Sequence, residues 1–167
     1  MSRPSFTAAW HASRRIFDPV NSADKVAKVI GGKVAENILP LGQQGKWQNT
    51  CAVRMSYILN QSGVHIPFMA GRTVSGAHHQ WYFHYVRDVI AFLKQRWGQP
   101  DIIAPYPDSG GGPLSGKRGV IMFEVSGWGD ATGHATLWDG TRCYDHCYWN
   151  NPSANYRTTK ANFWSLS

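Results

Sequence analysis

A chain of 167 residues with 17 Lys and Arg against 10 Asp and Glu carries a formal charge of +7, and it holds eight Trp with seven each of Tyr and Phe. That length suits one domain, 1–167, with a core that needs no staples. The charge favours anionic partners, yet no basic run exceeds two residues (Arg14-Arg15, Lys117-Arg118), which argues against a nucleic-acid arm, and no apolar stretch is long enough to insert in a membrane.

Met1 to Phe6 lacks the apolar segment of a secretory signal, so none is expected. Ser5 can cap a helix that places Phe6, Ala9, Trp10, Ser13, Ile16 and Phe17 near one face, ended by Asp18-Pro19. Ser22 opens a second helix through Val26, Val29 and Ile30, closed by Gly31-Gly32, and Val34 to Leu39 reads as a short third. Gly42 to Thr50 reads as a polar loop feeding an amphipathic helix from Cys51, stopped by Gly63. Val64 to Phe68 reads as an edge strand and Gly71 to Gln80 as a loop, while Trp81 to Tyr85 fits a strand or a helix start. Val86 to Trp97 has helical spacing and ends at Gly98. Pro100 to Gly116 reads as a long surface loop. Gly119 to Val125 reads as a buried strand, His134 to Trp138 and Thr141 to Tyr144 as a hairpin turning at Asp139-Gly140, and Asn162 to Leu166 as a last strand. Helices first and a sheet last predict an α+β domain.

Cys51 falls at the start of its helix, with Asn49 or Thr50 as the N-cap. Unpaired N–H groups and the positive end of the helix dipole stabilise an anion there, which lowers a thiol pKa and makes a nucleophile. A nucleophile needs a base, and the hairpin offers one. With a two-residue turn Trp138 faces Thr141, Thr136 faces Cys143 and His134 faces Asp145, within reach of a carboxylate–imidazole bond. The acid would hold one ring nitrogen and leave the other for the thiol proton. Gly127-Trp128-Gly129 and Gly133 leave the backbone near His134 bare for a ligand.

Three cysteines make one possible pair and one single. On a straight strand Cys143 and Cys147 would stand about 13 Å apart, whereas a disulfide needs about 7 Å or less. Either they are unbonded or the chain bends after Cys143, which would set Asp145 at the tip of a small closed loop above His134. A zinc set of His134, Cys143, His146 and Cys147 lacks a second tight pair and leaves Cys51 unexplained, so no metal and no cofactor are expected. His78, His79 and His84 are read as surface histidines, and His11 and His65 carry no signal.

The runs Asn49 to Tyr57, Gly133 to Gly140 and Cys143 to Cys147 resemble the fourth family of type VI secretion amidase effectors. Arg3-Pro4-Ser5-Phe6, Ala9-Trp10, Ile30-Gly31-Gly32 and Val74-Ser75-Gly76-Ala77 extend the likeness over most of the chain, and Pro100–Gly116 and the tail from Tyr148 match less well. The resemblance implies a papain-like NlpC-type fold, with N-terminal helices packed on an antiparallel sheet. It also implies a cysteine peptidase that cuts peptidoglycan stem peptides between D-glutamate and meso-diaminopimelate. Position by position it makes Cys51 the nucleophile, His134 the base, Asp145 the orienting acid, and Cys143 and Cys147 a disulfide pair. Where relatives often carry Pro after the nucleophile, this chain has Ala52.

Such an effector would be made in the cytoplasm, exported by the secretion machine and active in the target cell's periplasm, where a disulfide can form. A dedicated immunity protein plugging the groove is the implied partner. The backbone N–H of Cys51 is the expected oxyanion donor, with Gln48 or Asn49 as side-chain alternatives, and Trp128, Gly129 and Gly133 the expected groove wall. Two other readings are a papain-like hydrolase or transferase on another amide, and a basic wall-binding module without turnover.

Overall fold

The computed structural model describes residues 2–39, 47–129 and 132–167, and of the loop expected over 42–50 the part 42–46 lies outside them. Helix α1 spans Phe6–Ile16, α2 Ser22–Ile30 and α3 Gly32–Ile38. Ser5 caps α1 by accepting from the Ala8 N–H at 3.1 Å. Asp18 Oδ1 accepts from the backbone N–H groups of Val20 and Asn21, and that turn redirects the chain into α2. Between α2 and α3, Gly31 and Gly32 take φ of +66° and +57°. A Cβ on Gly32 would lie 2.5 Å from the Gly76 carbonyl carbon, and Ala77 N–H donates to the Ile30 carbonyl at 2.9 Å. The Ile30-Gly31-Gly32 and Val74–Ala77 segments are therefore two sides of one close backbone contact.

Helix α4, Cys51–Gln61, is buried from Cys51 to Asn60. The amphipathic helix expected here is in fact surrounded, because its polar residues all have partners. The Ser56 hydroxyl donates to the Ala52 carbonyl and accepts from the Phe83 N–H, both at 2.9 Å. Asn60 Nδ2 donates to the Trp81 carbonyl at 2.9 Å, and its Oδ1 accepts from the Ile66 N–H at 3.0 Å. That last bond explains why Val64 to Phe68 is not the predicted edge strand. Its backbone is spent on the end of α4, with Val64 N–H on the Leu59 carbonyl at 2.9 Å.

Strands β1, Thr73–Ser75, and β2, Trp81–Phe83, form a two-stranded sheet, β1 inside the stretch read as a loop and β2 taking the strand alternative for Trp81 to Tyr85. Helix α5 follows at Val86–Trp97 and ends at Gly98, as the spacing predicts. The second sheet is antiparallel and four-stranded, in the order β3 (Ile102–Pro105), β6 (Arg157–Ser165), β4 (Gly119–Ser126), β5 (Gly133–Trp138). The predicted surface loop thus hides an edge strand, β3, and a 3₁₀ turn at Gly112–Leu114.

Period-two alternation along β4 serves two cores. Val120 and Met122 join the helices, whereas Ile121, Phe123 and Val125 join Leu114, Trp138 and Phe163 on the other face. The sheet separates the helical layer from the loops that follow β3 and β5. At its free edge, β5 meets the N-terminal end of α4.

The chain after β5 turns back along that free edge. Trp138 bridges Cys143, Tyr144 N–H donates to the Leu137 carbonyl at 3.1 Å, and Asp139 N–H donates to the Arg142 carbonyl at 3.0 Å. The expected pairing of Trp138 with Thr141 is therefore displaced by two residues, because the turn takes four residues rather than two. A shift of two keeps every side chain on its face, so Asp145 still reaches His134. The chain bends after Cys143, and Cys143 and Cys147 are joined by a disulfide with Cα atoms 5.5 Å apart.

Candidate active site

Cys51 is the free cysteine among the described residues, and it is only 2% exposed. It reaches solvent through a cavity of about 440 Å³ whose wall includes Trp47, Gln48, Asn49, His84, Arg87 and Trp128, with Gly129 and Thr132 beyond. The first turn of α4 brings Cys51 to that floor; Thr50 holds the N-cap position without a side-chain cap bond, and Asn49, one residue before it, accepts from the Cys51 N–H through Oδ1 at 3.1 Å. The expected oxyanion donor is thus engaged by its own neighbour and becomes available only when that bond is exchanged.

Two donors from β5 meet the sulfur. The His134 side chain hydrogen-bonds Cys51, and so does the Ala135 backbone N–H, which belongs to the unpaired edge of the strand. His134 Nε2 lies 3.0 Å from Asp145 Oδ2. The contact is an ion pair at close range with its N–H off the line to the oxygen, a misalignment common before substrate binds. With Nε2 at the acid, Nδ1 is the nitrogen left for the thiol.

The Asp145 side chain is fully buried, and three groups hold it. The Thr136 hydroxyl donates to Oδ1 at 2.5 Å, and Arg54 Nη2 donates to Oδ2 at 3.1 Å beside His134. Burial pushes this carboxyl up, but His134, Arg54 and Thr136 together hold it below the usual range. Burial likewise pushes the His134 imidazolium down, and the Asp145 charge at close contact, joined by Cys51, lifts it to about 9. For Cys51, burial pushes the thiol up, and His134, the Ala135 N–H and Arg54 outweigh it, so the thiol lies below its ordinary value. A thiolate–imidazolium pair at the base of a cavity is a nucleophile and its proton donor ready to act on an acyl carbon.

Residues 47–164 match the family model for Tae4, described as type VI secretion system (T6SS), amidase effector protein 4. The chain belongs to the Tae4 family. It is similar to Tae4 of Enterobacter cloacae in its complex with Tai4, at 38% identity and a TM-score of 0.87 over 99% of this chain and 100% of that one. Tae4 of Enterobacter cloacae alone is 40% identical, with a TM-score of 0.85 over 99% of this chain and 98% of that one. Tae4 of Salmonella Typhimurium, in a type VI effector–immunity complex with Tai4, is 37% identical, with a TM-score of 0.84 over 99% and 100%. No curated protein matches the chain. Membership in Tae4 makes this an amidase effector, hence a hydrolase, and its mixed α+β architecture agrees with the solved Tae4 structures.

Within this Tae4 chain, Trp128 and Gly129 line the cavity, and Gly133 does not. Gly133 is buried in β5, where a Cβ would lie 2.2 Å from the Phe123 carbonyl oxygen, so the missing side chain makes room for the neighbouring strand and not for a ligand. His84 is not a plain surface histidine. Its ring stacks on Trp47 at 4.9 Å, it lines the cavity, and burial lowers its pKa. The zinc reading fails on chemistry, since two of its four donors are tied up in the disulfide.

Sequence reasoning missed Arg54 and Thr136. Arg54 does carry a signal, a lone charge inside an apolar run. Tyr148 was missed too. Its ring packs edge-on to His134 at 4.7 Å and on Trp128 at 4.9 Å, so the tail after the disulfide backs both side chains.

Proposed function

We propose that this Tae4 amidase is a papain-like, NlpC-type cysteine peptidase that cuts the γ-D-glutamyl–meso-diaminopimelate bond of peptidoglycan stem peptides. The observation that carries this is the buried Cys51 sulfur, met by His134 and the Ala135 N–H, at the floor of an open cavity. Asp145 orients His134. The Cys51 thiolate attacks the glutamyl γ-carbonyl carbon, and the carbonyl π pair moves to oxygen. The Cys51 N–H, released from Asn49, receives that oxyanion, with Gln48 or Asn49 as a second donor. The oxygen lone pair then re-forms the carbonyl, the C–N bond breaks, and His134 gives its proton to the leaving amine. Water then attacks the thioester carbonyl carbon as His134 takes its proton, the C–S bond breaks with its electron pair returning to the Cys51 sulfur, and the glutamyl product leaves with a free γ-carboxyl group.

The solved relatives in complex with Tai4 support a cognate immunity protein as a partner of this chain. Among the described residues no helix is long and apolar enough to cross a membrane. Delivery to a target cell's periplasm places the chain where Cys143 and Cys147 oxidise, which fits an antibacterial role.

The test is digestion of purified sacculi by wild type and Cys51→Ala, read by product mass. Wild type should release fragments ending in D-glutamate, and Cys51→Ala should lose at least a thousandfold in rate while keeping its fold. Cleavage at another amide, or turnover by Cys51→Ala, would refute the assignment.

A further inference from the structure

Arg54 stands one helical turn after Cys51 on α4, three residues on, and is only 6% exposed. Its guanidinium joins the acid to the N-terminal helices. On one side Nη2 donates to Asp145 Oδ2 at 3.1 Å. On the other, Nη1 donates to the hydroxyl of Ser22, the first residue of α2, at 2.7 Å. The Phe17 ring, just past the end of α1, covers the cation at 4.9 Å, and the Tyr144 ring lies at 5.9 Å. Nε is buried with no hydrogen-bond partner.

Packing alone does not call for this residue. An apolar side chain would fill the space between Phe17 and Tyr144 without stripping water from a cation or leaving a donor unpaired. What the guanidinium adds is a fixed position for one carboxylate oxygen. That oxygen is the one 3.0 Å from His134 Nε2. Asp145 sits in a short loop after the sheet edge, and a loop by itself holds an acid poorly. Arg54 ties it to the helix that carries the nucleophile.

We propose that Arg54 is a positioning residue of the amide-cleaving reaction, setting Asp145 against His134 from the nucleophile's own helix, with Phe17 and Ser22 as its cage. This rests on the assignment of Cys51, His134 and Asp145 above. It also gives the segment before residue 47, which the family match does not include, a part in the chemistry.

The charges bear on the thiol as well. Facing Cys51 are His134 from β5, Arg54 from its own helix, and Tyr144 and Tyr148 from the segment after β5, with Asp145 against the far side of His134. Arg54 adds positive charge to that set and so favours the thiolate. Without it the thiol ionises at higher pH.

The experiment uses the full chain as wild type, Arg54→Gln, Arg54→Lys and Ser22→Ala, each first checked by near-ultraviolet circular dichroism. Rates of Cys51 alkylation by iodoacetamide are taken against pH, and kcat and KM on a purified muropeptide are measured separately. Arg54→Gln should lower kcat roughly ten- to a hundredfold with KM little changed, and move the alkylation midpoint to higher pH. Arg54→Lys should restore the midpoint but not kcat, because one ammonium cannot span Asp145 and Ser22 as the fork does. Ser22→Ala keeps the charge and cuts the outer tether, so it should lower kcat severalfold and leave the midpoint in place.

A folded Arg54→Gln with unchanged kcat and midpoint overturns the proposal. So does an unchanged kcat in Ser22→Ala, which decides the matter if Arg54→Gln does not fold. If wild type leaves the muropeptide uncut while its alkylation midpoint still moves in Arg54→Gln, the substrate assignment fails and this one does not.

Discussion

Thr136 and Asp145 stand opposite one another at the free edge of the sheet, the Thr136 hydroxyl donating to Asp145 Oδ1 at 2.5 Å. That bond occupies one carboxylate oxygen and leaves the other to His134 and Arg54. Replacing Thr136 with Val keeps the shape and removes the donor, so a buried carboxylate oxygen goes unpaired. Thr136→Val should cost about 1–3 kcal/mol of stability, read by urea denaturation. Its kcat should fall about tenfold, which corresponds to about 1.4 kcal/mol. Thr136→Ser should recover most of both. A Val variant as active as wild type would mean that Oδ1 needs no holding.

The pH dependence of stability separates the two members of the thiol–imidazole pair. His134 is raised in the folded chain to about 9 from an ordinary 6.5. Its contribution is full below 6.5 and is lost as pH rises through about 9. Cys51 is lowered from 9.0, so its contribution grows over the pH range just below 9.0 and opposes that loss. In wild type Cys51 offsets part of that loss, so stability between these limits should fall less steeply than His134 alone would make it. In Cys51→Ala the imidazole stands alone against Asp145. Its stability should decline above pH 6.5, by at most about 1.4 kcal/mol per pH unit. Unfolding free energies measured at intervals of half a pH unit would show the divergence, and parallel curves would contradict a buried ion pair.

The parts of this fold that sequence made plain are those with a local cause. Ser5, Gly31-Gly32 and Gly98 bound helices by capping chemistry that acts within a few residues, and those helices are where the spacing puts them. The candidate nucleophile was legible for the same reason, as a cysteine at a helix start. His134 and Asp145 were legible because a hairpin ties distant chemistry to a local turn, and a register error of two residues does not change the face. What stayed hidden depends on partners remote in sequence. β3 is a strand only because β6 pairs with it, and Ile103 faces solvent there, 50% exposed, so its apolar pattern is poor. Val64 to Phe68 alternates like a strand but gives its hydrogen bonds to α4. Arg54 is a lone charge in an apolar run whose partners, Ser22 and Asp145, lie 32 residues before it and 91 after it.

The Cys143–Cys147 disulfide encloses Asp145, so its loss should be felt more in catalysis than in folding. The bond spans a sequence separation of only four, and closing so short a loop stabilises by about 2 kcal/mol through the unfolded chain. A Cys143→Ser, Cys147→Ser double variant should therefore still fold. In it Asp145 is left with Thr136, Arg54 and His134 to locate it, on a backbone free to move away from the sheet edge. Muropeptide turnover should drop by tenfold or more, while the melting temperature falls by a few degrees. Reductant should lower wild-type activity toward that of the double variant and leave the double variant unchanged. If reduced wild type and the double variant both keep full kcat, the edge contacts alone place the carboxylate and the disulfide serves stability only.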